Sequence, residues 1–132
     1  MFLNNCCRFI GMLVHDIELH HTTAQVPVLS FTLAVKRKTP DISGEWKTDF
    51  IKFTAWRRQA EKISKNYQKG DLITVLGRLQ MHPEEDGNGH IRQNAEVIVC
   101  ESRKILSADA RHKGYPGQDV TDKDPPSPFE NC

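Results

Sequence analysis

Three side chains in one short stretch carry chemistry that their neighbours lack. Phe50, Lys52 and Trp56 stand at i, i+2 and i+6, so a pleated strand would set all three on one side. Ile51, Phe53 and Ala55 would share the other side. The exposed face of a half-buried strand is normally polar, so two large rings flanking a cation need a reason. They could pack beneath a loop, a helix or another subunit. They could also form a platform on which bases stack while cations hold phosphates, worth about 1–3 kcal/mol per stacked base whatever its identity. Lys36, Arg37 and Lys38 add positive charge, as could Arg57, Arg58 and Lys69. Trp46 lies in the connection before this strand and is expected to contribute less.

The elements that would position these residues follow from periodicity. Asn5–Val14 is rich in apolar residues and interrupted by Gly11, which marks a bulge or a sharp barrel bend. His15–Pro27 is polar and is expected to be a loop. Val28–Lys36 alternates, with Leu29, Phe31, Leu33 and Val35 on one face. Lys38–Lys47 is rich in turn formers, and Asp49–Trp56 alternates again. From Arg57 the period changes: Ala60, Ile63 and Tyr67 predict an amphipathic helix of about three turns, ended by Gly70. Leu72–Gln80 returns to strand character, with Ile73, Val75 and Leu79 on one side. Pro83–Gly89 is expected to be a hairpin tip, and Ile91–Cys100 a fifth strand with Ile91, Ala95, Val97 and Val99 facing one way. Three strands, one helix and two strands make an all-β barrel of the OB-fold type. A doubly wound sheet would need more helices.

Composition changes after Leu106. Residues 1–106 hold 15 Lys and Arg against 12 Asp and Glu, whereas residues 107–132 hold 3 against 5. The second segment also carries four prolines and few apolar residues, so it is expected to be a disordered tail. Residues 1–106 would form the barrel domain. No apolar run approaches the roughly 18 residues that span a bilayer, and no secretory signal is evident, so the cytoplasm is the expected location. The four cysteines make no CxxC pair, and the six histidines show no zinc-ligand spacing. Asp41, Glu45 and Asp49 lie in a turn-rich connection where acids are ordinary. No catalytic group, metal or cofactor is expected, and the chain reads as a binding protein rather than an enzyme.

Six linked segments carry a family resemblance. Asp49-Phe50-Ile51, Trp56-Arg57-Arg58-Gln59-Ala60-Glu61, Lys69-Gly70-Asp71 and Gly77-Arg78-Leu79-Gln80 resemble the bacterial and phage single-stranded DNA-binding proteins. Phe31-Thr32-Leu33-Ala34-Val35 is similar to that family's second strand, and Asn94-Ala95-Glu96-Val97 to its fifth. The likeness covers roughly residues 3–106. It implies an OB-fold homotetramer that coats single strands in replication, recombination and repair, in association with the nucleoid. By resemblance Phe50 and Trp56 occupy stacking positions, and Lys52, Arg58 and Lys69 lie on or near the DNA path. Asp122, Asp124, Pro128 and Phe129 resemble the family's acidic Pro-Phe tip, which docks into replication and repair proteins. Here Glu130, Asn131 and Cys132 follow it.

Two departures temper the likeness. Where the family commonly has aromatic and basic residues, this chain has Thr39-Pro40 and Met81-His82-Pro83-Glu84-Glu85-Asp86. An acidic hairpin opposes phosphate, so a weaker or shorter footprint is expected. Three alternatives share the barrel: an adaptor similar to primosomal replication protein N, an RNA-binding OB domain, and a metal-dependent nuclease. The acidic Pro-Phe tail argues against the first.

Overall fold

The computed structural model describes residues 4–109. Its elements are β1 (Cys7–Leu13), β2 (His20–His21), β3 (Pro27–Lys36), β4 (Thr48–Trp56), α1 (Arg58–Asn66), β5 (Leu72–Glu85) and β6 (Ile91–Leu106). The strands pair in the order β1-β5-β6-β4-β3-β2, and a further β1–β3 pairing closes the first five into a ring. All the pairings are antiparallel except β4–β6. This is the OB barrel that the alternation predicts, with one addition. The polar segment expected to be a loop contains β2, whose two histidines pair with Pro27 and Val28 at the sheet edge.

Alternation explains the interior. Leu29, Phe31 and Leu33 of β3, Phe53 and Ala55 of β4, and Ile73 and Val75 of β5 are all buried. Phe53 is their centre: Phe31 stacks on it at 5.1 Å, and Phe9 meets it edge-on at 5.4 Å. Gly11 sits where β1 leaves β5 for β3, Met12 being paired with both Leu72 and Ala34. A Cβ at Gly11 would lie 2.7 Å from Ala34 O, so any side chain there would hold the two strands apart.

The helix is shorter than predicted. It ends at Asn66, and Tyr67 is its extended cap residue, with φ −115° and ψ 147°. Leaving the helix lets the Tyr67 ring enter the core, where its hydroxyl lies 3.1 Å from Ser102 Oγ. Gly70, at φ 92°, then turns the chain into β5. At the other end a single residue joins strand to helix. Arg57 takes up φ 57°, and its amide donates to Pro27 O at 2.8 Å.

The last two strands run further than their patterns predict. β5 continues through Pro83 to Glu85 and β6 begins at Ile91, so the hairpin tip shrinks to the turn around Asp86. Pro83 is tolerated because this arm is two-stranded and its outer edge needs no donor. Leu79, Ala95 and Ile91, expected to face a core, are exposed on the arm. Ala108 is buried beyond the end of β6, and its amide donates to Asp71 Oδ1 at 2.8 Å. Among the described residues no helix is long and apolar enough to cross a membrane.

Candidate nucleic-acid interface

The outer face of β3 and β4 is set by register. Val28, Ser30, Thr32, Ala34 and Lys36 stand opposite Trp56, Thr54, Lys52, Phe50 and Thr48. Directly opposed residues of an antiparallel pair share a face, so these ten positions lie outside while Phe31 and Phe53 lie within. Phe50 is 68% exposed and Trp56 43%. The reason is across the ladder: Phe50 faces only Ala34, and Lys52 only Thr32. Neither partner is long enough to cover an aromatic ring.

The cations named from sequence are distributed unevenly. Lys52 lies between the two aromatics, and Lys36 at the end of the same face; both are exposed. Arg37 falls on the other parity and is engaged, its guanidinium donating to Asp49 at 3.0 and 2.9 Å. That bond holds the Asp49 carboxyl below its usual value. Arg58 is exposed as the first residue of α1, two positions after Trp56. Lys69 is exposed on the α1–β5 turn, whose Gly70 amide donates to Leu13 O at 2.9 Å. It is not one of the outward positions of β3 and β4. Asp122, Asp124, Pro128 and Phe129 lie outside the described residues.

One feature of the face escapes sequence reasoning. β6 pairs with β4 in parallel through Phe53–Val97 and Thr54–Ile98, which carries Glu96 onto the outer surface beside Thr54. The Thr54 hydroxyl donates to Glu96 Oε2 at 2.7 Å, and His82 Nε2 hydrogen-bonds Oε1. The Glu96 side chain retains only 12% exposure. Burial pushes its carboxyl up, but the bonds from Thr54 and His82 and the charges of His82 and Lys52 outweigh that and hold it low. An ionised carboxylate thus lies close to the cation at the centre of the face. Alternation alone would have sent Thr54 and Glu96 outward. It could not have shown that they meet, because the parallel ladder joins segments 42 residues apart.

The acids of the β3–β4 hairpin have structural employment. Asp41 Oδ1 accepts the amides of Ser43 at 2.9 Å and Glu45 at 3.0 Å, while Asp49 holds Arg37.

A closed OB barrel presenting open aromatic rings around a lysine belongs to the class of barrels that bind nucleic acid on the sheet face. A family model described as the Single-strand binding protein family matches residues 4–105. The chain belongs to that family. The single-stranded DNA-binding protein of Streptococcus pneumoniae serotype 4 is 35% identical over 108 residues, covering 82% of this chain and 69% of its own. Single-stranded DNA-binding protein 1 of Streptococcus pyogenes serotype M18 is 40% identical over 97 residues, 74% of each chain. The single-stranded DNA-binding protein of Caldanaerobacter subterraneus subsp. tengcongensis is 39% identical over 94 residues, 71% of this chain and 63% of its own.

Proposed function

We propose that this protein coats single-stranded DNA without reading its sequence, in replication, recombination and repair. The observation that carries this reading is the pair Phe50 and Trp56, exposed on one face with Lys52 between them and only small side chains opposite Phe50 and Lys52. Base faces are the ligand such rings fit, and they are accessible only in unpaired strands. The role is binding rather than catalysis, in the cytoplasm with the nucleoid. Titration with poly(dT) should quench tryptophan emission, and affinity for an unpaired oligonucleotide should far exceed that for a hairpin stem. Equal affinity for the two would overturn the reading.

A homotetramer and a recruiting tail complete the proposal. Oligomerisation is supported by β1, which pairs with β3 only at Met12 and Leu13 and before them has a strand neighbour on the β5 side alone. An edge of that kind accepts another strand. Light scattering on the free protein tests it, and a monomer at micromolar concentration would refute it. Asp122, Asp124, Pro128 and Phe129 are proposed to recruit replication and repair proteins, on the strength of their composition and order.

A further inference from the structure

Trp46 is 54% exposed on the connection between β3 and β4. A tryptophan there adds nothing to the core and presents apolar surface to water. The base of that connection stays paired beyond the end of the ladder. The Arg37 amide donates to Lys47 O at 3.1 Å, one step beyond the Lys36–Thr48 pair. Trp46 stands two residues before Thr48, the first of the outward positions that β4 shares with Phe50 and Lys52.

The hairpin is also held in shape. Asp41 caps its tip through Ser43 and Glu45, and the Asp41 amide donates to Glu45 O at 2.8 Å. Lys47 Nζ lies 2.9 Å from Glu45 Oε2, and Arg37 binds Asp49 through two bonds. Every acid of the hairpin is thus tied to a cation or a turn amide, which lessens its repulsion of phosphate. An indole held by such a frame loses less freedom on binding than one on a loose loop. At about 3.3 Å per residue, Phe50 stands roughly 20 Å along β4 from Trp56, and Trp46 precedes the first residue of the strand by two.

We propose that Trp46 is a third stacking position, which carries the path of single-stranded DNA off the barrel and along the β3–β4 hairpin. The proposal rests on the single-strand reading of the β4 face, and the two can fail separately. The chain has two tryptophans, Trp46 and Trp56. Trp56→Phe keeps a ring at that position and leaves Trp46 as the sole reporter; Trp46→Phe does the converse. Both proteins are titrated with oligo(dT) of increasing length, and are also diluted over a wide concentration range without DNA.

Saturation with long oligonucleotides should quench Trp46 emission in the Trp56→Phe protein. Trp46→Ala should lose roughly five-fold or more in affinity for those oligonucleotides. Quenching of Trp56 with no change at Trp46 would overturn the third position and leave the β4 face intact. Trp46 emission that follows protein concentration and ignores DNA would also overturn it, by making this a contact between proteins. Absence of binding by the unaltered chain would remove the reading beneath both.

Discussion

Thr54 and Glu96, 42 residues apart, share a 2.7 Å hydrogen bond on the outward side of the sheet, where Thr54 is itself buried. The bond fixes a carboxylate whose charge is felt by Lys52, one register step from the Phe53–Val97 pair, and that charge opposes a phosphate on the same face. Glu96→Gln keeps an acceptor for Thr54 and removes the charge. Its affinity for single-stranded DNA should rise by about two- to five-fold at low ionic strength, and the gain should shrink as salt screens the face. A loss of affinity in fluorescence titrations would show that Glu96 serves to orient Lys52.

The same carboxylate makes stability depend on acid. Its folded pKa is depressed, as is that of Asp49 beside Arg37. A depressed carboxyl stabilises the fold fully above its unfolded value, about 4.3 for Glu, and that contribution is lost as pH falls through the folded value. The urea midpoint of the unaltered protein relative to Glu96→Gln should therefore fall between about pH 5 and pH 3. A difference that stays constant over this range would contradict the ionised, bonded state of Glu96.

Phe50 and Phe53 are three residues apart on one strand and should separate binding from folding. Phe50→Ala removes an exposed ring and should weaken DNA binding by about 1–3 kcal/mol, with little change in the urea midpoint. Phe53→Ala removes the ring between Phe9 and Phe31 and should cost about 3–5 kcal/mol of stability. Paired denaturation and titration curves check both. Loss of folding in Phe50→Ala would mean that the ring packs rather than stacks.

Lys36 and Arg37 are adjacent but differently placed. Lys36→Ala should lower the slope of log affinity against log salt by about 0.7, the value for one phosphate contact on a single strand. Arg37→Ala should lower it less, because its guanidinium is already bound to Asp49. Equal changes in the two slopes would show that DNA displaces Asp49 from Arg37.

The tail is tested by recruitment. Deleting residues 110–132 should leave DNA affinity unchanged or slightly higher, since the segment removed is net negative. Phe129→Ala alone should abolish capture of a replication or repair protein in a pull-down. Trimming Glu130–Cys132 should strengthen that capture if docking requires a terminal phenylalanine. Identical capture by the full, trimmed and Phe129→Ala proteins would refute a docking role.

Local pattern made the barrel and its exposed aromatic face legible. Strict alternation from Asp49 to Trp56 sorted Phe50 from Phe53, and the change of period at Arg57 marked the helix start within one residue. Contacts between distant segments were not legible. Tyr67 fits the helical repeat, yet its ring is worth more in the core beside Ser102 than in completing a third turn. Leu79, Ala95 and Ile91 keep the alternation of buried positions, but their strands have run beyond the barrel into a two-stranded arm. Periodicity reports which way a residue faces, not whether anything stands there. Glu96, His82 and Arg37 illustrate the same limit for charge, whose effect depends on which partner the fold delivers.

The strand order also governs what the chain must endure while it is being made. Synthesis proceeds from the N-terminus, so β3 and β4 can pair as soon as they emerge. The remaining partner of β4 is β6, and the principal partner of β1 is β5. Until residues 72–106 have left the ribosome, two strands with apolar faces wait with open edges, the condition that favours pairing with a neighbouring chain. Released chains truncated before Leu72 should therefore depend on chaperones to stay dispersed, while released chains that include Leu106 should close the ring and escape them.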